Sequence, residues 1–254
     1  METRLILRGA LLVALGMGLC SCSHLLNRDR DRERAKIHLQ MGVDRFTERD
    51  YNKALEATLE ALKLDPMLSS AHNHLALIYL ETKRFEKSEE AFRKALEIQP
   101  DYPEVFNNLG VLNLRRQKFR EAIPHLEKAL AAEGYLTPEN AYTNLGSAYY
   151  RLGDFTRAKA YHQRALDISP QFCLATKNLG DVYAKEKNYP KAQEHFQRAA
   201  TQCPLYQEAQ YKVGLILMKQ GQRKTARAQL EKLVQRHKEG AYVERSTEIL
   251  KYLR

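Results

Sequence analysis

The residues with chemical potential are few. Four cysteines stand in two pairs, Cys20 with Cys22 and Cys173 with Cys203. A thiol can carry an acyl chain or join a second thiol, depending on the compartment that the chain enters. Four cysteines in 254 residues are too few for a disulfide-dense scaffold. His72 and His74 lie two apart on a helical pattern, so they point to different faces and make a poor metal pair. The other six histidines are scattered. Carboxylates alternate with bases at helical spacing, as Glu89 and Glu90 do with Arg93 and Lys94. That pattern is a solvated face, not an acid–base pair. No glycine-rich phosphate loop, His-Glu-x-x-His or Gly-x-Ser-x-Gly occurs. The expectation is a binding protein and not an enzyme, with no cofactor, metal or small-molecule substrate.

The elements that must carry these residues are helices. Glycine and proline number 12 and 8, too few for the turns of a sandwich or barrel. Hydrophobic residues make up 44%, which excludes broad disorder. No apolar run reaches the roughly 18 residues of a membrane span.

The N-terminus reads as an address. Arg4 and Arg8 precede an apolar stretch over residues 9–19. Its length suits the core of a secretory signal and falls short of a bilayer. Leu19-Cys20-Ser21-Cys22 then resembles a bacterial lipobox, with Cys22 as the lipidated residue because small Ser21 precedes it. A plain signal peptide, or a buried helix with two chance cysteines, are the other readings. The lipobox reading makes residues 1–21 a signal peptide and residues 22–34 a lipidated cysteine with a charged tether. Two or three acyl chains would anchor durably, where one holds only marginally. Ser23, in place of Asp, implies sorting to the outer membrane, on its periplasmic face. The run 27–34 has four arginines against three acids and no apolar residue. Those acids and the export signal argue against nucleic acid as a partner.

The remainder is one repeat, six times. Pro66 and Pro100 are 34 residues apart, as are Pro170 and Pro204. Counting position 32 at each proline divides the chain into 35–68, 69–102, 103–138, 139–172, 173–206 and 207–238. Position 8 is then Gly42, Ala76, Gly110, Gly146, Gly180 and Gly214. Position 20 is Ala54, Ser88, Ala122, Ala158, Ala192 and Ala226. Small residues at both positions let two helices of a hairpin approach closely. Position 17 is aromatic in five repeats, from Tyr51 to Tyr189, and Arg223 in the sixth. An aromatic there fills the space between hairpins.

This pattern resembles the tetratricopeptide repeat, most clearly in Asn140 to Tyr150 followed by Gly153-Asp154-Phe155. The resemblance implies an all-α fold: a right-handed α-solenoid of six helix hairpins with a C-terminal capping helix in residues 239–254. The first helices would line an inner groove. Departures are Arg45 where Tyr is usual, with Phe46 beside it, and Pro124 within a second helix. The third repeat ends at Gly134 and carries two extra residues, and the sixth drifts from the pattern.

The repeat frame gives the remaining residues a place. Cys173 and Cys203 occupy positions 1 and 31 of repeat 5, where the two helices of an antiparallel hairpin meet. In an oxidising compartment a disulfide is expected; two buried unpaired thiols are the alternative. Asn108, Asn144 and Asn178 share position 6 in successive repeats. They form either a ladder that holds an extended peptide by its backbone or caps that serve packing alone. Leu39, Val43 and Phe46, followed by Leu77, Leu80, Val111 and Leu114, make the N-terminal end of the groove apolar; some of these must pack between helices, and the three of repeat 1 are a candidate docking patch.

Charge is uneven. The chain carries +10 overall. Repeat 6 holds Lys212, Lys219, Arg223, Lys224, Arg227, Lys232, Arg236 and Lys238 against two acids. A basic patch centred on Lys219, Arg223, Lys224 and Arg227 suits an acidic protein face, lipopolysaccharide phosphates or cell-wall carboxylates, or else keeps the protein soluble.

Lipobox, charged tether, six repeats and the long junction 133–139 together resemble the PilF/PilW/Tgl-like pilotins of type IV pilus biogenesis. That resemblance implies an outer-membrane lipoprotein that helps secretin subunits reach the membrane and assemble. A β-barrel assembly subunit and a periplasmic scaffold for cell-wall enzymes or proteases are the other readings.

Overall fold

The computed structural model describes residues 28–253. Cys20, Cys22 and the expected signal segment lie outside the described residues.

Every described element is a helix. The first, α1, covers residues 28–47. The run 28–34, expected as a tether, is therefore helical. It contains no glycine or proline, and its charges close on one another along the helix: Arg34 with Asp31 at 3.4 Å and Lys36 with Glu33 at 2.7 Å. Arg32 reaches Asp65 at 3.8 Å, and Ala35 is fully buried.

The described residues divide into two units, on either side of the boundary between Val105 and Phe106. In the first unit, α1 and α2 (Tyr51–Leu64) are followed by the hairpin of α3 (Ser69–Glu81) and α4 (Phe85–Ile98). Helix α5 (Pro103–Arg115) crosses the division. The second unit continues with α6 (Phe119–Ala131), α7 (Pro138–Leu152), α8 (Phe155–Ile168), α9 (Cys173–Lys185) and α10 (Tyr189–Gln202). It ends with α11 (Gln207–Lys219), α12 (Arg223–Arg236) and α13 (Ala241–Tyr252). Helices α7 and α8, α9 and α10, and α11 and α12 pair as hairpins, and each hairpin packs on the next through α8 with α9 and α10 with α11. Helix α13 covers α12 and α11, in the capping role that the sequence suggests. Helix α6 runs unbroken through exposed Pro124.

A single steric relation recurs in each unit. Position 8 faces position 24 across the hairpin. A Cβ built on Gly180 would lie 2.6 Å from the Phe196 ring, and one on Gly146 would lie 2.5 Å from His162. Gly110 and Gly214 meet Leu126 and Leu230 in the same way, and Gly42 meets Thr58. These partners are all buried, so none can swing aside into solvent. Repeat 2 has Ala76 instead, and there Ser88 Oγ donates to the Ala76 carbonyl at 2.8 Å. The small residues at position 20 are fully buried in all six repeats.

The turn between the two helices of each hairpin has a second rule. Position 15 is left-handed every time: Arg49, Lys83, Gln117, Gly153, Lys187 and Gly221 all have positive φ. Only two of the six are glycine. The next residue caps the second helix in three repeats, where Asp50, Asp154 and Asn188 accept from the amides of Lys53, Arg157 and Lys191.

Cys173 and Cys203 are joined as a disulfide, with Cα atoms 6.3 Å apart. The bond closes hairpin 5 at its open end, opposite the left-handed turn.

Three stability effects follow. Gly180→Ala should destabilise by about 1–3 kcal/mol, because overpacking against Phe196 outweighs the helix preference of alanine. Lys187→Gly should stabilise by roughly 1 kcal/mol through relief of the left-handed backbone. The urea midpoints of the two variants should therefore move in opposite directions. Reducing the disulfide should cost about 3–4 kcal/mol by the loop-entropy relation. Melting with and without reductant checks it, and an unchanged midpoint would contradict it.

Candidate partner-binding groove

In the second unit the first helices of successive repeats place positions 5, 6, 9, 12 and 13 on one face. Between α7 and α9 they enclose a cavity of about 280 Å³, with Leu114, Phe119 and Tyr150 as its apolar walls. Ser147, Lys177 and Asn178 bring polar atoms to it. A neighbouring cavity of about 230 Å³ lies towards α11, lined by Leu215, Lys212 and Lys219 among others. Tyr150 and Asp181 line both cavities and form the wall between them.

The charges on this face are organised. Lys177, only a tenth exposed, lies 3.3 Å from Asp181 and 3.2 Å from Glu208. Lys212 meets the other oxygen of Asp181 at 2.7 Å. Burial works against the charge on Lys212, but Asp181 and Glu208 outweigh it and hold the ammonium above its ordinary range. Burial, with Asp181 nearby, pushes the Tyr150 hydroxyl up, so it remains a neutral donor and acceptor. Burial and Glu208 do the same to Tyr206. A buried ion network of this kind contributes little net stability, but it holds side chains in one geometry.

The asparagines of position 6 are half-buried and already engaged. Asn144 Nδ2 donates to Asn107 Oδ1 at 2.9 Å, and Asn178 Nδ2 donates to Ser147 Oγ at 3.3 Å. Asn108 Oδ1 is 3.5 Å from Asn107 Nδ2. Asn144 and Asn178 thus stitch one first helix to the preceding one.

In the first unit the predicted apolar patch is partly absorbed by packing. Leu39, Val43, Phe46 and Leu77 are half-buried. Leu80 is 2% exposed and is withdrawn from any docking surface, because the interior takes its side chain. Phe46 packs edge-on to Tyr51 and His74, with centroids 5.5 and 5.4 Å away, while Arg45 is exposed and pairs with Glu48 at 2.9 Å. The apolar residues that α1 exposes are Ile37 and Met41. They occupy positions 3 and 7, which in the other repeats are buried.

The predicted basic patch is divided. Arg227 is paired with Glu231 at 2.8 Å, and Arg223 donates to the Tyr252 carbonyl at 3.3 Å. Lys219 lines the groove and lies over the Tyr189 ring, while Lys224 is exposed. Lys212 belongs to the ion network.

Two histidines are buried, which their residue type and spacing do not announce. His74 Nδ1 lies 2.9 Å from Thr58 Oγ1, whose hydroxyl donates to the Ala54 carbonyl. The threonine oxygen must therefore accept, which puts the imidazole proton on Nδ1. Burial lowers His74 to about 4. His162, 1% exposed, borders the first cavity, and its Nδ1 has no hydrogen-bond partner among the described residues. Burial, with Lys177 close by, lowers it to about 3. His162 stands where repeats 2 and 5 have Phe92 and Phe196, and comparing position 24 across repeats would have singled it out.

No group of metal-binding side chains occurs among the described residues, and none of their helices is long and apolar enough to cross a membrane.

Comparison with known families decides the kinship. A tetratricopeptide-repeat model matches residues 67–133 and 101–171, and a second one matches residues 208–239. Together these cover more than half of the chain. The chain is a tetratricopeptide-repeat protein. No curated protein matches it. Among solved structures, PilW, a widely conserved type IV pilus biogenesis factor, is similar with a TM-score of 0.73 and 29% identity. The match covers 83% of this chain and 96% of PilW. PilF of Pseudomonas aeruginosa is similar at 0.68 and 20% identity, over 87% of this chain and 98% of PilF. A chain of the APC/C hetero-tetramer Cut9–Hcn1 reaches 0.74 at 17% identity, but the match covers only 44% of that chain. The last two likenesses concern the fold alone. The tetratricopeptide-repeat protein is thus related to PilW over most of its length, and repeats of this family mediate protein–protein contacts.

The histidines predict a pH dependence. Their folded pKa values lie below the ordinary 6.5, so the unfolded chain takes up protons first. Their contribution to stability is complete above pH 6.5 and is lost as pH falls towards 4 for His74 and 3 for His162. His162→Phe should flatten this loss, since Phe fits against glycine in repeat 5. Urea midpoints at pH 7 and pH 5 should differ less in the variant than in wild type.

Proposed function

We propose that this tetratricopeptide-repeat protein is a pilotin: a lipid-anchored outer-membrane protein that binds a segment of the type IV pilus secretin and assists its assembly. The observation that carries the reading is the match to PilW, which spans 96% of that chain at 29% identity. The two chains correspond over almost the whole of PilW, not over a stray pair of repeats.

The groove supplies the mechanism. Leu114, Phe119 and Tyr150 offer an apolar floor, and Ser147, Asn178 and Lys177 offer polar atoms beside it. An extended segment laid across the first helices would place alternate side chains in the two cavities and its backbone against the polar atoms. The network around Asp181 fixes the wall between those cavities before binding, which lowers the ordering cost. Acyl chains on Cys22 would keep the groove at the inner leaflet, where tethering raises its effective concentration near secretin subunits.

Deleting the gene and restoring it as wild type, Cys22→Ala or Tyr150→Ala tests the reading. Heat-resistant secretin multimers should vanish on deletion, return fully with wild type, and return only in part with either variant. An unrelated outer-membrane barrel should be unaffected. Persistence of the multimers after deletion would refute the proposal, and loss of the unrelated barrel would indicate general barrel assembly instead.

A further inference from the structure

A second site lies away from the groove, on the side of repeats 5 and 6 formed by their second helices. Helices α10 and α12, with the start of α11, enclose a cleft of about 320 Å³. Its polar wall is Gln197, Thr201, Gln210, Gln229, Lys232 and Arg236. No carboxylate lines it. The wall thus holds two cations, three carboxamides and one hydroxyl, all of which can donate.

The cations are not consumed by other described residues. Neither Lys232 nor Arg236 forms an ion pair among the described residues, and Glu231, adjacent in sequence, is turned to Arg227 at 2.8 Å. Lys232 and Arg236 are four residues apart on α12, a spacing at which like charges repel. Both side chains stand at the exposed edge of the cleft with no acid beside them, so an anion from outside would relieve their repulsion. The cleft is also built and not merely open. Gln210, 4% exposed, is held by its amide donating to the Pro204 carbonyl at 2.6 Å. That bond leaves the position of its side chain set before any ligand arrives.

We propose that this cleft binds a phosphate group. Arg236 offers a planar fork to two phosphate oxygens, Lys232 a point charge to a third, and the carboxamides and Thr201 the remaining donors. The phosphate comes either as a free anion or as the headgroup of an anionic lipid. The volume accommodates a phosphate with a small attached group, and the open side leaves room for the rest of a lipid. This site is independent of the groove and of its secretin segment.

The test uses the full chain with Cys22→Ala, so that no acyl chain contributes, at about 0.15 M salt to screen diffuse attraction. One arm measures equilibrium dialysis of radiolabelled inorganic phosphate. The other measures flotation with phosphatidylcholine vesicles, with and without phosphatidylglycerol. Lys232→Gln/Arg236→Gln is compared with Arg223→Gln/Lys224→Gln, which removes the same charge from the other end of α12. Circular dichroism confirms that both stay folded. Saturable phosphate binding, weakened at least tenfold by the first pair and not by the second, establishes a free anion as ligand. The same selectivity seen only with phosphatidylglycerol vesicles establishes a lipid headgroup. Absence of binding in both arms, or equal losses in the two double variants, overturns the proposal.

Discussion

The close approach of two helices across a glycine is the constraint on which the rest of the structure depends. In five of the six repeats position 8 has no side chain because position 24 occupies its space. This contact sets the depth of each hairpin, and with it the depth at which positions 5, 6, 9 and 12 of the first helix stand. The groove therefore takes its shape from contacts made inside the hairpins, and two of the residues that make them, His162 and Phe196, also border its cavities. Repeat 2 carries Ala76 at position 8, and there Ser88 at position 20 ties the two helices by a hydrogen bond to the Ala76 carbonyl.

The same constraint explains why polar residues are found deep inside. Position 24 must be filled, and the repeat fills it with Thr58, Phe92, Leu126, His162, Phe196 and Leu230. Two of these are polar. Thr58 finds partners in Ala54 and His74, whereas His162 has a nitrogen beside a cavity with no hydrogen-bond partner among the described residues. Burial then holds His74 and His162 neutral and makes the folded state sensitive to acid. Stability and site are thus coupled in repeat 4, where one ring supports the hairpin and borders the groove.

Electrostatics divides repeat 6 between two faces. Lys212 is drawn into the groove by Asp181, and Lys219 lies beside it, whereas Lys232 and Arg236 face the cleft with α10. A count of charges by repeat sees one basic block. The structure resolves it into Lys212, paired with Asp181 in the groove, and an outer pair that forms no ion pair among the described residues.

Much of the fold was legible in the residues. The 34-residue recurrence, the small residues at positions 8 and 20 and the aromatic at 17 determine helix hairpins, because side-chain volume at a helix crossing is a property of residue type. The position of Cys173 and Cys203 in the frame also carried their pairing. What the residues could not disclose depends on neighbours distant in the chain. Position 15 is left-handed in all six repeats, but only Gly153 and Gly221 advertise it, since the tertiary packing of the hairpin imposes that backbone on Arg49, Lys83, Gln117 and Lys187 as well. The charged run 28–34 reads as a tether until its ion pairs and the contact of Arg32 with Asp65 make it helix. Leu80 and Phe46 read alike as groove residues, and only packing buried the first and set the second over His74. Residue type decides which helices can approach; the tertiary arrangement decides which atoms are left facing solvent, and the binding surfaces are made of those.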